Sequence, residues 1–262
     1  MKTFRQFLFE LELNKEFDPH LAYNTTLNSA IWERKYPTDG TKGLGWWELK
    51  PEVASALNRI ADEFIEFLGV DVASVTDVIL TGSNANYNWT DISDVDLHIV
   101  LDMKNGQICP TCPSDNFISD CFQAKKTLWN STHNITIHGF DVELYAQDAA
   151  ETHVTDSGVY SLKQGQWLQQ PEFKQITIDN SAVKLKSQDI MNQIDDLIDS
   201  QTDNLGDLNA IKDRIKKLRS SGLQQGGEFS IENLAFKALR NLGYLEKLSN
   251  YMKNIEDRDL SV

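Results

Sequence analysis

Ile79-Leu-Thr-Gly-Ser-Asn-Ala-Asn-Tyr-Asn-Trp-Thr-Asp-Ile-Ser-Asp-Val-Asp-Leu-His-Ile99 is the stretch whose reading decides the fold. The apolar run Asp77-Val-Ile-Leu-Thr81 reads as a short β-strand that ends in a tight Gly82-Ser83 turn. After ten intervening residues, Asp94, Asp96 and His98 alternate with Val95, Leu97, Ile99 and Leu101, the pattern of a strand with two unlike faces. Side chains two apart on a strand point the same way, so Asp94 and Asp96 project together. Two adjacent carboxylates repel and need a reason to remain ionised. A divalent cation supplies one, since Mg²⁺ is typically held by one or two carboxylates plus substrate phosphate oxygens. Gly82 and Ser83, with Asn84 behind them, offer backbone N–H groups and polar side chains suited to cradling a phosphate.

Outward from this stretch the pattern stays regular. Upstream, Pro51 opens a helix whose apolar positions (Val53, Leu57, Ile60, Ala61, Phe64, Leu68) keep helical spacing until Gly69. Downstream, Phe117, Ile118, Cys121, Phe122, Lys125, Leu128 and Trp129 mark a second helix, and residues 135–146 read as a third strand. On that strand Asp141 and Glu143 share one face, while Phe140, Val142 and Leu144 line the other. Either acid can complete a three-carboxylate set with Asp94 and Asp96. Metal ions held by such a set can activate an attacking hydroxyl and neutralise a leaving pyrophosphate.

The expected architecture is α/β: a short mixed sheet flanked by helices, with a C-terminal helical subdomain. Residues 1–50 read as an irregular arm, clamped by Trp32, Trp46 and Trp47 onto a catalytic domain at 51–170. A small hairpin is expected from Val159–Leu162 and Gln166–Gln169 around Lys163-Gln-Gly165. Residues 171–262 form the helical part, in which Leu208, Ile211, Ile215 and Leu218 follow the spacing of helix-on-helix packing.

Composition bounds the function. With 40% hydrophobic and 24% charged residues in 262, the chain has the make-up of an ordinary globular protein. No apolar run reaches the roughly 18 residues of a membrane span, and the start reads as no signal peptide, so a cytoplasmic location is expected. A net charge of −14 argues against a protein that binds nucleic acid over its whole surface, but leaves room for a local site. Cys109-Pro-Thr-Cys112 resembles half of a zinc site without a second ligand pair, and reads better as a loop with free thiols. Lys212, Arg214, Lys216, Lys217 and Arg219 form the densest basic run, either a solvated helix face or a holder of phosphates. His98 reads as a hydrogen-bonded structural histidine, with substrate contact as the alternative. Tyr145, Tyr160 and Trp167 serve packing or, alternatively, stack on a base.

The order hydrophobic-Gly-Ser, a spacer, Asp-hydrophobic-Asp-hydrophobic and then hydrophobic-acid-hydrophobic resembles the signature of DNA polymerase beta superfamily nucleotidyltransferases. The wording Thr-Gly-Ser-x-Ala-Asn-Tyr-Asn-Trp, Ser-Asp-x-Asp-Leu-His and Val-Glu-Leu-Tyr is also similar to nucleotidyltransferase-like proteins of tailed phages. The resemblance implies an enzyme dependent on Mg²⁺ (or Mn²⁺) that moves a nucleoside monophosphate from an NTP to an acceptor hydroxyl and releases pyrophosphate. It implies that Gly82, Ser83 and Asn84 hold the nucleotide. Asp94, Asp96 and Glu143 would then bind metal and act in catalysis, with Asp141 as the alternative third acid. The acceptor (RNA, protein or small molecule) stays open. Alternatives are a catalytically inactive nucleotide-binding or interaction protein of a phage, and a toxin-like enzyme acting on host tRNA or protein. The spacer departs from many relatives in being Asn-rich and lacking a basic residue soon after Gly-Ser. All five histidines precede the tail, so no fused ribonuclease with an Arg-x4-6-His motif is expected.

Overall fold

A computed structural model describes residues 19, 21–37, 45–103, 115–151 and 157–261. The first 18 residues of the expected arm, the Cys109–Cys112 loop, His20 and His153 lie outside the described residues. The chain divides into two compact units, Ala22–Lys174 and a unit of Met1–Leu21 with Gln175–Val262.

The first unit is mixed α/β. Its strands are β1 (Trp32–Lys35), β2 (Trp46–Leu49), β3 (Val75–Thr81), β4 (Val95–Leu101), β5 (Thr136–Ile137), β6 (Phe140–Asp148), β7 (Val159–Ser161) and β8 (Gln166–Gln169). Helices α1 (Pro51–Leu68) and α2 (Asp115–Thr132) punctuate them. Six strands form one sheet in the order β5-β6-β4-β3-β7-β8. Within it β4 and β6 run parallel, and every other pairing is antiparallel. Parallel neighbours need a crossover, and α2 lies in the chain between β4 and β6.

The alternation in β4 decides which face is core. Val95, Leu97, Ile99 and Leu101 are fully buried and cluster with Val53, Leu57, Phe64 and Leu68 of α1 and with Ile118, Phe122 and Trp129 of α2. Each such side chain contributes about 1.5–3 kcal/mol of transfer free energy. A one-residue slip of β4 would turn the Asp/His row into this core, so the register is strongly specified. Helix α1 ends where the sequence says it should, with Gly69 in the left-handed region (φ 71°) donating to Ile65 and Glu66 carbonyls.

Two expectations need correction. The arm is not irregular throughout: β1 and β2 pair antiparallel, with Trp32 opposite Leu49. Trp32 is buried against Trp167 at 4.4 Å, whereas Trp46 is 42% exposed and does not clamp. The strand expected over 135–146 is broken at His138-Gly139, both at positive φ (51° and 89°), so that β5 folds back on β6. A two-residue loop with both residues at positive φ matches the twist of a hairpin. The Val159/Gln166 hairpin is present, and β7 extends the main sheet by pairing with β3.

Among the described residues the second unit holds four α-helices: α3 (Asn180–Asp199), α4 (Leu205–Gly226), α5 (Ile231–Asn241) and α6 (Tyr244–Leu260). Ile190, Ile194, Leu208, Ile211, Ile215, Leu239 and Leu248 are among the residues of its buried core. Ser230 caps α5 by accepting from the Asn233 amide at 3.2 Å. Arg214 of the basic run pairs with Asp189 at 2.9 Å and with Gln193, and Arg219 stands over the Phe236 ring at 4.6 Å. Among the described residues no helix is long and apolar enough to cross a membrane.

Candidate active site

The face of the sheet opposite the helices carries the predicted chemistry. Register places residues in rows across three strands: Thr81, Asp96 and Glu143 form one, and Ile79, His98 and Tyr145 the next. Asp141 precedes Glu143 by two residues on β6 and shares its face, and Asp94 stands two residues before Asp96, immediately ahead of β4. Asp94, Asp141 and Glu143 together line a cavity of about 260 Å³, whose other walls are Asn130, His133, Asn134, Ile135 and Val142.

Asp96 is pressed against the glycine turn. A Cβ on Gly82 would lie 1.7 Å from Asp96 Oδ2, a distance no real contact reaches. Gly82 also sits at φ 76°, ψ −162°, a conformation essentially restricted to glycine. Ser83 opens the short 3₁₀ turn Ser83–Ala85 and is half-buried. Gly82 therefore adjoins the Asp96 carboxylate, with Ser83 the next residue in the chain.

Asn84 does not fit its expected role as a nucleotide contact. Its side chain is fully buried, donating to the carbonyls of Asp94 (2.9 Å) and Ser93 (3.3 Å) and accepting from Asn28 Nδ2 at 2.8 Å. Its own carbonyl takes the Trp32 indole N–H at 2.7 Å. Asn84 fixes the start of β4, and with it Asp94, relative to the turn. The asparagines of the spacer are interior, since Asn86 and Asn88 are also buried and Asn86 Oδ1 accepts from the Tyr87 amide, whereas Asp91 and Ile92 are exposed.

Two residues on the carboxylate face were not singled out by sequence for this role. Tyr145 is surrounded by the acids: burial pushes its phenol well above the ordinary value, and the charge of Asp96, a hydrogen bond with Glu143 and the charges of Glu143 and Asp94 push it further. The phenol is thereby held in its protonated form beside Glu143. Lys126 of α2 reaches the same spot, its ammonium 3.6 Å from the Tyr145 ring centroid and 3.8 Å from Glu143 Oε1. Helix α2 is held beside β6 by Asn130, whose amide donates to the Leu144 carbonyl and accepts from the Leu144 N–H, both at 3.1 Å. A signal was present: Lys125 and Lys126 interrupt the apolar stripe Ile118, Phe122, Trp129 midway. Lys125 spends its charge on the carbonyls of Phe67 and Leu68 at the end of α1. His98 donates from Nδ1 to Gln147 Oε1 at 2.8 Å and stacks on Tyr145 at 4.6 Å.

The donor set suits a hard cation in type, being carboxylate oxygen throughout. Among the described residues no three His, Cys, Asp or Glu side chains form a ready-made metal cage. A cation here would need further oxygens, such as those of a phosphate, to complete its shell. Comparison of the chain with protein-family models, with curated proteins and with solved structures finds no match.

Proposed function

We propose that the chain is a nucleotidyltransferase of the polymerase beta type, moving a nucleoside monophosphate from an NTP to an acceptor hydroxyl with release of pyrophosphate. The observation that carries the reading is the lateral register of Asp96 and Glu143 on parallel β4 and β6, with Gly82 directly against Asp96. It favours Glu143 over Asp141 as the third carboxylate, because Glu143 is the residue in register with Asp96.

In this reading Asp94, Asp96 and Glu143 would hold Mg²⁺ or Mn²⁺, which when bound supplies charge neutralisation for the triphosphate and acidifies the attacking hydroxyl. Gly82 lets the chain turn close enough for the Ser83 hydroxyl and nearby N–H groups to face the phosphates. Asn84 keeps Asp94 at a fixed height beside them. A bond forms from the acceptor oxygen to the α-phosphorus as the bond to the pyrophosphate oxygen breaks. The acceptor proton passes to a site carboxylate, and Asp94 and Glu143 both face the cavity where an acceptor would enter.

The test is incubation with Mg²⁺ and α-labelled NTPs against RNA, protein and small-molecule fractions. Label should move to one fraction with the wild-type chain and fall at least about 100-fold with Asp94→Asn/Asp96→Asn, the scale of losing a general acid–base contribution. Equal labelling by the double variant would remove the catalytic assignment.

A further inference from the structure

We propose that Lys126 is the phosphate-positioning residue of this site: it parks between Glu143 and Tyr145, and turns to the triphosphate when Glu143 takes up a divalent cation. The inference rests on the nucleotidyl-transfer reading and adds to it the cation that the sequence left unassigned. The spacer between Ser83 and Asp94 contains no lysine or arginine, so the turn that would cradle phosphate brings no positive charge of its own.

Lys126 meets the requirements for such a cation. Its side chain is only 16% exposed, yet its distance to Glu143 Oε1, 3.8 Å, is an ion pair without hydrogen-bond contact. The ammonium rests on the Tyr145 face beside the Glu143 carboxylate, and its three donors can change partners without moving the backbone. The backbone itself is fixed, by the two Asn130–Leu144 bonds one turn later and by Lys125 on the end of α1 one residue earlier. Only the flexible stem has freedom.

Electrostatics gives the exchange its direction. An ammonium and a divalent ion compete for Glu143, and the divalent ion interacts more strongly at equal distance. Once displaced, Lys126 stands beside the row that holds Glu143 and Asp96, and a triphosphate bound along that row offers it several anionic oxygens. Metal and triphosphate should therefore respond to Lys126 with opposite sign: the residue hinders the metal alone and helps the nucleotide.

The experiment measures two affinities on the full chain. Mn²⁺ binding without nucleotide is followed by electron paramagnetic resonance, and binding of a non-hydrolysable ATP analogue with Mn²⁺ by calorimetry. For Lys126→Gln, Mn²⁺ should bind several-fold tighter and the analogue about tenfold weaker, the effect of losing one charged hydrogen bond. Lys126→Arg should retain most of the analogue affinity. Lys126→Met, whose apolar stem can stay on Tyr145, replaces the glutamine variant if that one does not fold. Unchanged analogue binding, or Mn²⁺ binding no tighter than wild type, overturns the assignment of Lys126 while leaving the reading of the site intact. A wild-type chain that binds Mn²⁺ but no triphosphate overturns the nucleotidyl-transfer reading, and with it the role of Lys126.

Discussion

Asp96 and Glu143 face each other across the parallel pair β4 and β6, and the Asp96 carboxylate occupies the space that any side chain on residue 82 would need. Charge and backbone geometry are thereby coupled at one point, and several outcomes follow from that coupling.

Gly82→Ala should lower stability by about 1–3 kcal/mol, the range for a strained non-glycine residue at such a φ, and should push Asp96 out of its row. Urea unfolding and Mn²⁺ binding on the same variant check both parts. Full stability with intact metal binding would contradict the close approach.

Asp96→Asn removes one of two like charges standing in register. In metal-free, low-salt buffer it should stabilise the chain by about 0.2–1 kcal/mol, the scale of a cross-strand charge pair. Added Mg²⁺ should raise the melting temperature of the wild type more than that of the variant, because only a ligand of the native state shifts that equilibrium. Differential scanning fluorimetry with and without Mg²⁺ reads both signs.

Asn84→Ala should cost about 1–3 kcal/mol, since the Asp94 and Ser93 carbonyls and the Asn28 amide would lose their buried partner. The loss should appear even with no nucleotide present, which separates a positioning residue from a ligand contact. Chemical denaturation of the apo chain is the measurement.

Glu228 supplies a pH test in the second unit. Burial pushes its carboxyl up, but Lys237 at 3.0 Å, Arg219 and the Asn233 amide more than offset this, leaving it below its ordinary value. A depressed carboxyl stabilises the fold above its unfolded value, about 4.3, and that contribution is lost as pH falls through the lower folded value. Glu228→Gln should lower the melting temperature at pH 7 and shrink the difference from wild type as pH drops below about 4. Thermal melts across pH 3–7 report it, and a constant difference throughout would contradict the linkage.

Much of the site was legible in sequence because it depends on local rules. Strand alternation places Asp94 with Asp96 and Asp141 with Glu143 on common faces, and the Gly-Ser turn announces itself by composition. Lys126 and Asn84 were harder to read. Nothing near Lys126 in the chain says that it will meet Tyr145, nineteen positions on. Asn84 looked like a ligand contact because a polar residue after Gly-Ser is usually solvated. Its burial depends on Asn28 and Trp32, more than fifty residues upstream. His138-Gly139 was read through as strand, whereas the pairing of β5 back onto β6 puts both residues at positive φ.

The sequence by itself determined the strands, their two-faced character and the charges each face carries, since these follow from a period of two and from where apolar residues must go. The tertiary structure decided which carboxylates stand opposite one another, that Asp96 seals against Gly82, and that a lysine from α2 joins them. Those relations are set by the parallel register of β4 with β6 and by the docking of α2 along β6. Both arise from contacts between residues distant in the chain, which local periodicity does not encode.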